Sequence, residues 1–188
     1  MIPEPELSDG VVLLRPLRAE EAATKATWGQ DADIVRWTGV PAGDTHAGAL
    51  EYIAAAEESR RAGRSIALAI VDVQSARVIG SCDLRRPEPR DPALGEVTIL
   101  MARAARGRGL ATRALALLVE WGVRELGMQR IQAVVHPENA RSIALFERLG
   151  FEREGLLRRL RPRATGREDR ILYAVLADEW RLPASDAG

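Results

Sequence analysis

The stretch Arg106-Gly107-Arg108-Gly109-Leu110-Ala111-Thr112 decides how this chain is read. An apolar, strand-like run from Val97 to Ala102 precedes it, and a helical pattern from about Leu110 to Leu126 follows. A loop that leaves a strand and opens a helix presents backbone N–H groups with no partner inside the helix. The helix dipole adds partial positive charge at the same place. Two glycines allow a ligand to come close to the main chain, and Arg106 and Arg108 add full charges. Together these features make a phosphate cradle.

Spacing excludes two common phosphate ligands. A mononucleotide loop needs Lys-Ser or Lys-Thr after its last glycine, and neither follows Gly109. A dinucleotide fingerprint needs a third glycine, or an alanine, where Thr112 stands, and no acidic ribose partner follows. The segment resembles instead the acyl-CoA pyrophosphate loop of the GCN5-related N-acetyltransferases (GNAT), Q/R-x-x-G-x-G/A. Arg106, Gly109 and Ala111 occupy its three fixed positions.

The resemblance continues downstream. A strand over Arg130–His136 leads to Asn139-Ala140-Arg141-Ser142, which opens a helix, and Leu149-Gly150-Phe151 closes it. Asn139 alone reads as an N-cap and Gly150 as a helix stop. Their order after the glycine loop is what matches the acetyltransferases. Leu14–Leu17, Arg36-Trp37, Gly155–Arg158, Gly166–Asp169, Tyr173–Leu176 and Asp178–Trp180 are similar to the RimJ/RimL branch, which acetylates protein N-termini and assorted small amines. The likeness spans roughly Val11 to Trp180.

Length and composition bound the rest. A chain of 188 residues fits a single domain, 1–188, with a sizeable core. Twenty-seven basic residues balance 27 acidic ones, so no global field draws the chain to nucleic acid or an anionic membrane. A lone cysteine, Cys82, excludes an internal disulfide and suits a reducing compartment. Cys82 with His46 and His136 makes a poor zinc set, so no metal is expected. The start lacks a signal-peptide pattern, and no apolar run approaches the ~18 residues of a membrane span. A cytoplasmic, bacterial setting is expected, the arginine-over-lysine bias being read as a trait of the source.

Taken in order, Gly10–Arg15 reads as a strand, Ala19–Trp28 and Ala32–Trp37 as helices, and the stretch after Thr45 as a helix stopped by Gly63. Ser65–Val71 and Arg77–Leu84 read as an antiparallel pair, and Arg85–Leu94 as a loop. The Arg130–Val135 run suggests a strand buried on both faces. The tail gives strands at Phe151–Leu160 and Arg170–Leu176 across an arginine-rich loop. This is an α/β (α+β) order. The resemblance implies the GNAT fold: a central mixed, mostly antiparallel seven-stranded sheet flanked by helices, with two strands splayed into an acyl-CoA cleft.

What the resemblance implies chemically is acetyl transfer from acetyl-CoA, by direct attack of a primary amine in a ternary complex. Leu100, Met101 and Ala102 would offer main-chain groups to pantetheine, and Arg106, Gly107, Arg108, Gly109, Leu110, Ala111 and Thr112 would hold the pyrophosphate. Asn139 and Ser142 would reach the pantetheine arm. An alkylammonium must lose a proton before it attacks, and Glu96 is the candidate base. Family members often carry a tyrosine where Phe146 stands, so Ser142 is the nearest hydroxyl that could protonate the thiolate. The acceptor is a small-molecule amine or a protein N-terminus, and a homodimer is left open. The alternative is an acyl-CoA-binding regulatory domain without catalysis.

Overall fold

The computed structural model describes residues 1–163 and 166–182; residues 183–188 of the expected domain lie outside it. The elements are β1 (Leu7–Ser8), β2 (Val12–Pro16), α1 (Ala22–Thr27), α2 (Ala32–Trp37), α3 (His46–Arg61), β3 (Ser65–Asp72), β4 (Arg77–Arg85), β5 (Leu94–Met101), α4 (Leu110–Arg124), β6 (Arg130–Val135), α5 (Ala140–Arg148), β7 (Glu152–Arg163) and β8 (Gly166–Leu176). They form one open sheet in the order β1-β2-β3-β4-β5-β6-β8-β7. Every pairing is antiparallel except that of β5 with β6.

β3 shows why helices cover both faces. Ile66, Leu68 and Ile70 point one way into the main core with Leu110, Ala114, Leu115 and Leu118 of α4. Ala67, Ala69 and Val71 point the other way, against Ile53 and Ala56 of α3. Each large side chain so buried contributes about 1.5–3 kcal/mol. Gly122 lets α4 press close: a Cβ there would lie 3.0 Å from Ile131. Gly127, at φ +67°, turns the chain after the helix.

Three expectations need amending. The sheet has an eighth strand, the two-residue β1, whose Leu7 and Ser8 face Leu14 and Leu13; two residues carry no readable periodicity. The arginine-rich loop is mostly strand, since β7 and β8 pair out to Arg163 and Gly166. Its side chains are largely exposed, so polarity there marks a solvated strand face. β6 is not buried on both faces. Ile131, Ala133 and Val135 are buried, whereas Gln132 and Val134 face a partly open side.

Candidate active site

β5 and β6 pair in parallel at Leu94 with Arg130, Gly95 with Ile131 and Glu96 with Gln132, and then separate. Beyond Glu96, β5 stays with β4 as far as Met101 opposite Gly80. β6 stays with β8 as far as Val135 opposite Ile171. Each strand keeps its outer neighbour, so the gap between them is wedge-shaped and held open. Its wide end meets the start of α4 in a cavity of about 420 Å³.

The glycine loop lies at that wide end. Gly107 and Gly109 have φ +77° and +73°, and a Cβ at either would meet nothing within 4 Å. Left-handed backbone is what glycine adopts without strain, and the space beside both residues is open. Thr112 and Arg113 both donate their N–H to the Gly109 carbonyl, at 3.1 and 3.3 Å. The N–H groups ahead of them begin the helix without intrahelical partners.

Arg106 borders the cavity, and its guanidinium is also taken up by three protein partners. Its Nε donates to the Met101 carbonyl at 3.0 Å, its Nη1 to Asp33 at 3.1 Å and its Nη2 to Asp31 at 2.8 Å. It therefore fastens the loop to the end of β5 and to the first turn of α2. Burial alone would raise the Asp31 carboxyl, but the Ile34 N–H, the Arg106 charge and the Asp33 N–H hold it below the ordinary range. Arg108 pairs with Asp72 at 3.3 Å and does not line the cavity. Arg141 and Arg148 do line it, and the Arg141 side chain is 76% exposed.

Gly107, Gly109, Leu110, Ala111 and Thr112 line the cavity with Arg106, as do Leu100, Met101, Asn139 and Ser142; Ala102 and Glu96 do not. The Ala102 N–H donates to Ile79 at 2.8 Å. In this antiparallel ladder the main chain of Ala102, Leu100 and Thr98 thus turns to β4, and that of Met101, Ile99 and Val97 turns to the gap. The expected use of Leu100 and Ala102 main-chain groups is corrected accordingly. Asn139 caps α5, its Oδ1 accepting from the Ser142 N–H at 3.2 Å.

Glu96 is placed at the closed end of the wedge and is already engaged. It is buried, ion-paired to Arg85 and 3.6 Å from Arg161, and it accepts from Gln132 Nε2 at 3.1 Å. Phe146 is in the core, 5.1 Å from the Phe151 ring and 6.2 Å from that of Tyr173.

Sequence reasoning missed Asp83, paired across β4–β5 with Thr98. Tyr52 Oη donates to its Oδ1 at 3.0 Å and Thr98 Oγ1 to its Oδ2 at 2.9 Å. Its burial pushes the carboxyl up, opposed by those two hydrogen bonds and by the charges of Arg85 and Lys25. The Tyr52 hydroxyl is also pushed up, by burial and then by Asp83. The readable signal was a lone carboxylate within the otherwise uncharged run Val78–Leu84. Among the described residues no cluster of His, Cys, Asp and Glu could hold a metal, and no helix is long and apolar enough to cross a membrane.

Residues 12–152 match a family described as acetyltransferase (GNAT) domain. The chain is 27% identical over 168 residues to "Uncharacterized N-acetyltransferase p20" of Bacillus licheniformis, covering 89% of this chain and 93% of that protein. Mycobacterium smegmatis RimJ in complex with CoA-disulfide aligns with a TM-score of 0.83 at 26% identity, over 98% of this chain and 90% of that one. The ribosomal-protein-S5-alanine acetyltransferase from Vibrio fischeri shares the fold, with a TM-score of 0.81 at 20% identity over 95% and 100% of the two chains.

Proposed function

The chain belongs to the GNAT acetyltransferase family, and on that premise we propose that it passes an acetyl group from acetyl-CoA to a primary amine held in the same complex. It is an acyltransferase; the acceptor, a protein or peptide N-terminus or a small-molecule amine, is the proposed part. The observation that carries the reading is the parting of β5 from β6 beyond Glu96 and Gln132, opening onto the first turn of α4.

In this reading the diphosphate rests on the main chain of Gly107–Ala111, and Thr112 and the rim arginines Arg141 and Arg148 add contacts. The pantetheine arm runs back along β5 like an added strand. From Met101 to Val97 is about 13 Å at ~3.3 Å per residue, so the thiol end comes to the narrow part of the wedge. There the main chain of Ile99 or Val97 supplies an N–H to polarise the thioester carbonyl. Holding amine and thioester side by side removes much of the entropic barrier.

A thiol-release assay with acetyl-CoA against peptides of varied N-terminal residue, aminoglycosides and polyamines tests this. Acceptor-dependent release, with mass gain of one acetyl on the acceptor, is expected. Tight CoA binding with no turnover on any amine would make the chain a binding domain instead.

A further inference from the structure

Resting on that function, we infer that Asp83 and Tyr52 form the site that receives the acceptor's ammonium group and takes its proton, in place of Glu96. Three placements carry this. Thr98 lies two residues beyond Glu96, the last β5 residue paired to β6, and Asp83 stands beside it on β4, one strand over from the point where the wedge closes. That is the end reached by the acyl group. Asp83 also shares a sheet face with α3, opposite α4, and so approaches the wedge from the side away from the glycine loop.

The second placement is exposure. Tyr52 is 39% exposed and Asp83 half-buried beneath it, so an amine meets the phenol oxygen first and the carboxylate through it. The Tyr52 ring is held from below by Lys25, whose Nζ lies 4.3 Å from the ring centre and 3.0 Å from Asp44. The third is availability. Glu96 spends its oxygens on Arg85 and Gln132, whereas among the described residues Asp83 accepts from two hydroxyls.

The step balances without a further reactant. The ammonium donates to Tyr52 Oη; its N–H proton moves to that oxygen as the Tyr52 proton passes to Asp83 Oδ1. The freed lone pair bonds the thioester carbonyl carbon, and the C–S bond breaks. A second N–H proton ends on the departing sulfur, giving amide and CoA thiol, and Asp83 returns its proton to water.

The charged groups around this site are Lys25 from α1, Arg85 along β4, Glu96 with Arg161 beyond Thr98, and His136 at the end of β6 on the same sheet face. Burial and Arg170 lower the His136 ring, and the test separates its titration from that of Asp83. The pH profile of kcat/KM is measured for the wild type and for Asp83→Asn, Tyr52→Phe, Glu96→Gln and His136→Gln, with CoA affinity by calorimetry alongside. Asp83→Asn is expected to lower kcat/KM about 10²-fold or more at pH 7, to lose the acid limb and to bind CoA as before. Tyr52→Phe, an exposed change that keeps the fold, is expected to lower kcat/KM about tenfold. An active wild type whose acid limb survives in Asp83→Asn, or disappears in Glu96→Gln or His136→Gln, overturns the site alone. A wild type that binds CoA yet acetylates nothing overturns the functional reading and this site with it.

Discussion

Arg106 Nη2 lies 2.8 Å from Asp31 Oδ2, joining the glycine loop to the residue that caps α2. The two side chains are only 18% and 11% exposed, so removing the cation leaves a carboxylate with little water to replace it. Arg106→Gln is expected to cost about 2 kcal/mol, or roughly 4–8 °C in Tm for a chain of this size. The loop, released from Met101 and α2, should also bind acetyl-CoA about tenfold more weakly. Arg106→Lys cannot make the three bonds and should recover only part. Calorimetry with CoA and a melting curve decide this; a variant with weakened binding and unchanged Tm would mean that Arg106 serves the ligand directly.

Gly109 and Gly127 separate backbone strain from ligand contact. Their φ values are +73° and +67°, and neither has a neighbour within 4 Å of where a Cβ would go. Alanine at either costs about 1 kcal/mol in the left-handed region. Only Gly109 borders the cavity. Gly109→Ala is expected to raise the KM for acetyl-CoA about tenfold, and Gly109→Glu to abolish binding. Gly127→Ala should lower Tm by a similar amount and leave KM alone. Equal KM values in the two alanine variants would remove the cradle.

The elements that frame the site were legible because local rules and tertiary packing agree there. Leu110, Ala114, Leu118 and Trp121 repeat at helical spacing and are all buried, and Asn139 and Gly150 bound α5 as cap and stop residues do. What local rules could not show was how distant partners use a side chain. Arg106 meets Asp31 across 75 positions and Asp83 meets Tyr52 across 31. Each arginine or carboxylate is readable as a charge, but whether it is already neutralised depends on the fold. That is why Glu96 stood out in the sequence and Asp83 did not.

Glu57 ties the end of α3 to the N-terminal segment. It pairs with Arg60 at 2.8 Å and with Arg61 at 2.6 Å, and Arg60 Nη1 in turn donates to the Ile2 carbonyl at 2.7 Å. The Arg60 hydrogen bond leads in pulling the Glu57 carboxyl down from 4.5 to about 2. A carboxyl lowered on folding stabilises the protein above its unfolded pKa and loses that contribution as pH falls through the folded one. Because Glu57 is 35% exposed, the gain is about 1 kcal/mol. Glu57→Gln should therefore melt a few degrees below the wild type at pH 7, and the gap should shrink below about pH 4.5 and vanish near pH 2. A gap constant across that window would show that the amide disrupts packing instead.

Phe146 stands where the family resemblance implies a tyrosine, and introducing a tyrosine there should not help. The ring is 3% exposed, against Phe151 and Tyr173, and it does not border the cavity. The neighbouring phenol of Tyr173 is already committed to Glu147 at 3.0 Å. A hydroxyl added at Phe146 would be buried without a partner, costing about 1–3 kcal/mol. Nor does the leaving group demand it: a thiol of pKa about 8.5 departs near neutral pH with little need for an acid. Phe146→Tyr is therefore expected to lower Tm by several degrees and leave kcat within about twofold. A clear rise in kcat would show the new ring turning into the wedge, and would make protonation of the departing sulfur the slow step that this chain performs without a phenol.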